Sequence, residues 1–155
     1  SPQLCSLPAK KERYERYVIA DTGYWVALLN PQDDLHSKAT HLSKSLQPVH
    51  IVTTEVVLTE VLNDFSKRGE FFRNLAIRLI ESLRSHANTT IVPQSSQQFD
   101  EALQLYAQRL DKDWSQTDCA SFNIMGEYGM TEAFAYDKHF VQAGYTALLR
   151  NCPAR

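Results

Sequence analysis

The chain reads as a single α/β domain: a three-layer α/β/α sandwich around a central parallel sheet of about five strands. Three observations lead there. Short apolar runs of strand length alternate with helical stretches from Tyr17 onward. Two of those runs, Tyr17-Val18-Ile19-Ala20 and Ala133-Phe134-Ala135-Tyr136, each stop at an aspartate, Asp21 and Asp137, and open α/β sheets place their chemistry at strand ends. The length, 155 residues, suits one compact domain.

Each element has a local justification. Tyr17 to Ala20 is a short buried strand, and helical signal from Thr22 to Leu29 breaks at Asn30-Pro31. Asp33 or Asp34 is placed to cap the next helix, which runs to about Leu46 and stops before Pro48. A second strand, Val49 to Val52, leads into a helix whose N-cap is Thr53 or Thr54 and which fades at Arg68-Gly69. Phe71 to about His86 is amphipathic, and Thr89 to Val92 is a third strand before Pro93. Ser95 or Ser96 opens a helix through about Leu110, and another runs from Ser115 to Tyr128, ending at Gly129. Strand Glu132 to Tyr136, a short helix after Asp137 and a last strand, Tyr145 to Leu149, complete the pattern. The domain is expected over residues 17–150, with residues 1–16 a basic extension outside it.

Composition excludes several classes. The hydrophobic fraction of 43% is that of an ordinary soluble globule, and no stretch approaches the roughly 18 consecutive apolar residues of a membrane span. The first 16 residues lack the apolar run of a secretory signal. Cys5, Cys119 and Cys152 are odd in number and show no C-x-x-C spacing, which argues against a disulfide framework and a zinc site and fits a reducing, cytoplasmic setting. With a net charge of −2, attraction to a polyanion must come from local patches. Two exist: Lys10, Lys11, Arg13 and Arg16, and then Lys67, Arg68, Arg73, Arg78 and Arg84. Taken alone, each reads as a basic tail or solvated helix faces.

The acidic residues carry the chemistry. If both aspartate-terminated runs are parallel strands of one sheet, Asp21 and Asp137 emerge at the same edge, and converging carboxylates suit a divalent ion. Asp137 also reads as a simple turn before a helix. Asp118 shares a helical stripe with Trp114, Phe122 and Met125, where an acid is costly unless paired or metal-bound; equally, it sits near a helix N-terminus, where the macrodipole favours it. Glu60 lies nearly opposite the Leu58, Val61, Leu62 and Phe65 stripe and by pattern alone reads as solvated, although Val56 and Val57 beside it suggest a second covered face.

The ordered set Ile19-Ala20-Asp21-Thr22-Gly23, Thr53-Thr54-Glu55-Val56-Val57-Leu58-Thr59-Glu60-Val61-Leu62, Thr117-Asp118-Cys119-Ala120-Ser121-Phe122 and Ala135-Tyr136-Asp137-Lys138-His139-Phe140 resembles the PIN-domain nucleases over about residues 17 to 149. Each motif alone is weak; the four in this order are fairly specific. The resemblance implies an acidic site of Asp21, Glu60, Asp118 and Asp137, which overrides the solvated reading of Glu60. It makes Thr22 the small hydroxyl residue that orients water or phosphate. At Ala135 the chain departs from the family, where many members carry Thr or Ser.

Carboxylates gathered in one pocket raise one another's pKa, and Mg²⁺ or Mn²⁺ relieves this, since oxygen-only ligands select hard ions. Such an ion lowers the pKa of water, and a second can stabilise a leaving oxygen. The resemblance implies metal-dependent hydrolysis of RNA, with Lys67, Arg68 and Arg73 touching the backbone. Many compact members are VapC-type toxins that form homodimers and pair with an antitoxin; a housekeeping RNA-processing nuclease would read identically. A non-catalytic PIN fold binding RNA or protein is the rival from another class, and retention of all four acids argues against it.

Other enzymes fit less well. A receiver domain wants an aspartate ending its third strand, which here ends Ile91-Val92-Pro93. A haloacid-dehalogenase-like phosphatase wants Asp-x-Asp where the chain has Asp21-Thr22-Gly23, and there is no P-loop or G-x-G-x-x-G. Among the histidines only His139 falls near the acidic set, as a weak candidate for phosphate contact.

Overall fold

The computed structural model describes residues 16–46 and 48–151. The elements run β1 (Arg16–Ala20), α1 (Thr22–Leu29), α2 (His36–Ser45), β2 (Val49–Thr54), α3 (Glu55–Phe65), α4 (Glu70–Ser85), β3 (Thr89–Val92), α5 (Ser96–Gln108), α6 (Gln116–Tyr128), β4 (Glu132–Phe134), α7 (Lys138–Gln142), β5 (Thr146–Ala147) and α8 (Leu148–Asn151). The sheet order is β3-β2-β1-β4-β5, with every pair parallel. This is the expected three-layer α/β/α sandwich. Cys5, Cys152 and the basic residues Lys10, Lys11 and Arg13 lie outside the described residues; Arg16 opens β1, and its guanidinium donates to Glu132 through Nε at 3.0 Å.

Side-chain alternation along the strands divides the interior into two cores, as a period of two demands. Val18 and Ala20 of β1, Val49 of β2 and Phe134 of β4 face a core with Tyr24, Trp25, Val61 and Phe65. Ile19, Val52, Ala133 and Ala135 face the other, with Trp114, Phe122, Met125 and Phe140. In the first core Tyr24 stacks on Phe134 at 4.4 Å between centroids. In the second, Trp114, Phe122 and Phe140 meet edge to face at 4.9 and 5.0 Å, the geometry that ring quadrupoles favour.

Several boundaries differ from the sequence reading. α2 is capped by neither Asp33 nor Asp34: Asp33 instead closes a turn one step earlier, its Oδ1 accepting from the Leu35 amide at 2.9 Å and its carbonyl from the His36 amide at 3.0 Å. Thr54, not Thr53, caps α3, accepting from the Val57 amide at 3.0 Å. Thr53 is buried in β2, donates to the Ala20 carbonyl at 3.1 Å and accepts from Trp25 Nε1 at 3.2 Å. β4 stops at Phe134 because β1 turns into α1 beyond Ala20, leaving no strand beside it. The last run, Tyr145 to Leu149, is strand only at Thr146–Ala147 and then turns into α8; an apolar run this short does not discriminate strand from helix. Leu149 is fully buried in the first core, and its amide donates to the Ala135 carbonyl at 3.1 Å.

Candidate active site

The strand order reverses direction at β1. The chain moves from β1 outward to β2 and β3, then returns to β4 on the other side. A crevice at the C-terminal ends of β1 and β4 follows from this topology, and it is where parallel α/β sheets hold ligands. Asp21 is the first residue past β1, its amide donating to the Phe134 carbonyl at the end of β4 at 3.1 Å. Asp137 follows β4 and caps α7, its side chain accepting from the His139 amide at 3.0 Å. The two aspartates therefore leave neighbouring strands at one edge.

Two further acids are delivered by helices. Asp118 stands in the first turn of α6 in a reciprocal capping box: Ser115 Oγ accepts from the Asp118 amide, and Asp118 Oδ2 accepts from the Ser115 amide, both at 3.0 Å. Trp114 thus precedes the helix, and Phe122 and Met125 anchor α6 in the second core. Glu60 of α3 is partly buried, with both carboxylate oxygens engaged: Oε1 accepts from the Thr22 hydroxyl at 2.6 Å and Oε2 from the Thr117 hydroxyl at 2.8 Å. The solvated face suggested by its helical wheel is not observed, because α1 and α6 each send a threonine to it. Thr22 correspondingly donates to a carboxylate rather than standing free.

Electrostatics register the convergence. The Asp21 carboxyl is pushed up to about 7, first by burial and then by the charge of Asp118, with Glu60 and Asp137 adding to the rise and the Thr22 amide opposing it. Its side chain makes no capping bond to α1. Burial also raises Asp118, against the Ser115 amide and His139, which favour its charged form.

Histidine 139 holds a place that the sequence suggested only weakly and for a different purpose. Its Nδ1 lies 2.9 Å from Asp118 Oδ2 and 3.1 Å from Asp137 Oδ1. Asp118, Asp137 and His139 form the group whose potential ligand atoms all lie within 4.8 Å of one another among the described residues; Asp21 and Glu60 flank it. The donor set is dominated by carboxylate oxygen, and one oxygen each of Asp118 and Asp137 has no protein hydrogen bond among the described residues. That combination fits a hard divalent cation. Thr117, which holds Glu60, was missed by sequence reasoning and has no signal there. The sequence marks Ser115 as the start of its helix, without its pairing to Asp118.

Lys67, Arg68 and Arg73 are exposed around the α3–α4 turn, past Glu60 in sequence. Arg68 pairs with Asp64 at 2.9 Å and lies over the Phe65 ring, and Arg73 donates to the Ser66 carbonyl at 3.0 Å. Among these three, Lys67 has no hydrogen bond or ion pair within the described residues.

An all-parallel five-stranded sheet, with four acids gathered at its switch point in the order Asp21, Glu60, Asp118, Asp137, is a PIN-like arrangement. Comparison with known proteins agrees. The chain is 29% identical over 131 residues to the 23S rRNA-specific endonuclease VapC20 of Mycobacterium tuberculosis, in strains H37Rv and CDC 1551, covering 83% of this chain and 95% of the relative. The crystal structure of M. tuberculosis VapC20, described as a sarcin–ricin loop cleaving toxin, superposes with a TM-score of 0.75 at 25% identity, covering 84% of this chain and 97% of that one. No protein-family model matches the chain. These similarities, over most of both chains, support kinship with VapC-like PIN-domain proteins.

Proposed function

We propose that this protein is a divalent-metal-dependent endoribonuclease and the toxin half of a toxin–antitoxin pair. The observation that carries the reading is the gathering of Asp21, Glu60, Asp118 and Asp137 at the β1/β4 crevice, where Asp21 cannot ionise at its ordinary pH without a counter-charge. Similarity to a 23S rRNA-specific endonuclease along most of both chains supports RNA as substrate and makes the sarcin–ricin loop the first RNA to try.

Asp21, Asp118 and Asp137 would hold the ion, Mg²⁺ or Mn²⁺, with Glu60 beside them. Bound there, it would neutralise the acids, polarise a phosphoryl oxygen and acidify water. The protein's own part is positioning. Thr22 and Thr117 aim Glu60, and the Ser115 amide fixes Asp118. Lys67, Arg68 and Arg73 supply charge for backbone phosphates, which gives affinity without sequence information. In the hydrolysis water attacks phosphorus, the bond to the 3′ oxygen breaks and that oxygen takes up a proton, leaving 5′-phosphate and 3′-hydroxyl ends.

The same reading includes a homodimer in the cytoplasm, with no membrane association; among the described residues no helix is long and apolar enough to cross a membrane. Support for self-association comes from α5. Phe99, Leu103 and Tyr106 form an exposed apolar stripe at helical spacing, extended by exposed Leu110 just past the helix, and continuous through Phe99 with a groove of about 500 Å³ lined by Leu58, Leu62 and Ile80. Apolar surface of this kind marks an interaction face. An antitoxin segment is the competing occupant.

The test is cleavage of a sarcin–ricin loop RNA and of mixed total RNA by purified protein with Mg²⁺, Mn²⁺ or EDTA, beside a folded Asp21→Asn variant. Cleavage that needs metal and disappears in the variant is expected. Cleavage that persists in EDTA or in the variant overturns the reading.

A further inference from the structure

We propose that His139 is a positioning residue for the divalent ion: its imidazole ties one oxygen of Asp118 to one oxygen of Asp137 and reserves the other oxygen of each for the metal. This role rests on the reading of the acidic pocket as a metal-dependent nuclease centre and adds to it a residue outside the four acids.

Nδ1 of His139 lies between Asp118 Oδ2, at 2.9 Å, and Asp137 Oδ1, at 3.1 Å. Both neighbours offer lone pairs, so the ring presents Nδ1–H to them. Each contacted oxygen has a second donor from the backbone: the Ser115 amide reaches Asp118 Oδ2 at 3.0 Å, and the His139 amide reaches Asp137 Oδ1 at 3.0 Å. Asp118 Oδ2 thus takes two hydrogen bonds, and Asp137 Oδ1 takes one beside its close contact with the ring. Asp118 Oδ1 and Asp137 Oδ2 have no hydrogen bond among the described residues.

The arrangement solves a mechanical problem. Asp118 is locked by a capping box in α6, while the Asp137 side chain, 41% exposed, sits on the short α7 and has no other side chain to hold it among the described residues. His139 belongs to α7 as well, so one ring couples the α7 acid to the rigid helix and holds two like charges at a set separation. Its side chain is only 15% exposed and cannot swing freely. Outer-shell partners of this kind commonly change metal affinity or activity by about 10–100-fold when removed.

The experiment is a Mn²⁺ titration of the metal-free protein followed by the electron paramagnetic resonance signal of free Mn²⁺. It compares wild type, His139→Ala, His139→Asn and, as a control for the site itself, Asp21→Asn. Thermal melts of the metal-free proteins read folding separately. Asparagine is the informative substitution because its amide N–H can take the place of Nδ1–H, without a ring.

The expected result is a Mn²⁺ affinity about 10–100-fold weaker in His139→Ala, recovered to within several-fold of wild type in His139→Asn. Unchanged or tighter binding in His139→Ala overturns the role of His139 alone, as does an asparagine variant no better than alanine when both melt like wild type. Wild-type protein that takes up no Mn²⁺ overturns the metal-centre reading and this inference with it.

Discussion

Replacing Asp21 with asparagine should stabilise the metal-free protein at neutral and alkaline pH while abolishing its nuclease activity. In the folded state the carboxyl is raised from 3.8 to about 7 by burial and by Asp118, Glu60 and Asp137. The folded protein thus holds this proton more tightly than the unfolded chain does, and stability must fall as pH rises between those two values. Below about pH 4 both states are protonated and the group costs nothing; above about pH 7 the whole penalty is present. A rise of roughly three pKa units corresponds to on the order of 4 kcal/mol at about 1.4 kcal/mol per unit, and partial exposure of Asp21 to solvent lowers this to about 2–4 kcal/mol. For a domain of this size, where 1 kcal/mol moves the midpoint by about 2–4 °C, Asp21→Asn should melt roughly 4–15 °C above wild type at pH 8 in EDTA and no higher at pH 4. Saturating Mn²⁺ should raise the wild-type midpoint and leave the variant nearly unmoved. A variant that melts with wild type at pH 8, or below it, would refute the claim that burial and neighbouring charges raise this carboxyl.

Three other outcomes follow from particular side chains. Thr117→Val removes the donor to Glu60 Oε2 and should lower RNA cleavage about tenfold, with a melting midpoint within a few degrees of wild type; Thr22→Val, which frees Oε1, should act in the same direction in the same cleavage assay. Lys67→Gln should weaken RNA binding uniformly across sequences and, for each phosphate no longer neutralised, flatten the slope of log affinity against log salt by about 0.7, measured by filter binding to an inactive Asp21→Asn background. Leu103→Glu places a charge in the exposed α5 stripe and should shift a dimer to monomer in light scattering while leaving the monomer's circular dichroism unchanged.

The elements that were legible share one property: their signals are local. Strand β3 and helix α1 stand where composition and periodicity put them, Gly129 ends α6 in the left-handed conformation at φ 71°, and Asp21 and Asp137 were visible as acids because each interrupts an apolar run. Glu60 shows the opposite case. Its own helix places it away from the main apolar stripe, and only the PIN-nuclease resemblance marked it; the reason it is held inward is a pair of threonines from α1 and α6. Where a short apolar run met the end of the sheet, as at Leu148 and Leu149, the pattern was compatible with strand and helix alike, and burial in the first core decided for the helix.

By itself the sequence determined the class of fold, the order of its elements and which acids were available, because apolar periodicity, helix caps and strand-ending aspartates are written within a few residues of one another. Tertiary structure alone decided that β1 and β4 are neighbours, that Thr22 and Thr117 converge on one glutamate, and that His139 bridges Asp118 and Asp137. Hydrogen-bond partners of buried polar groups are chosen by which elements pack together across the sheet. That choice depends on the shape of both cores at once, and no local stretch of the chain encodes it.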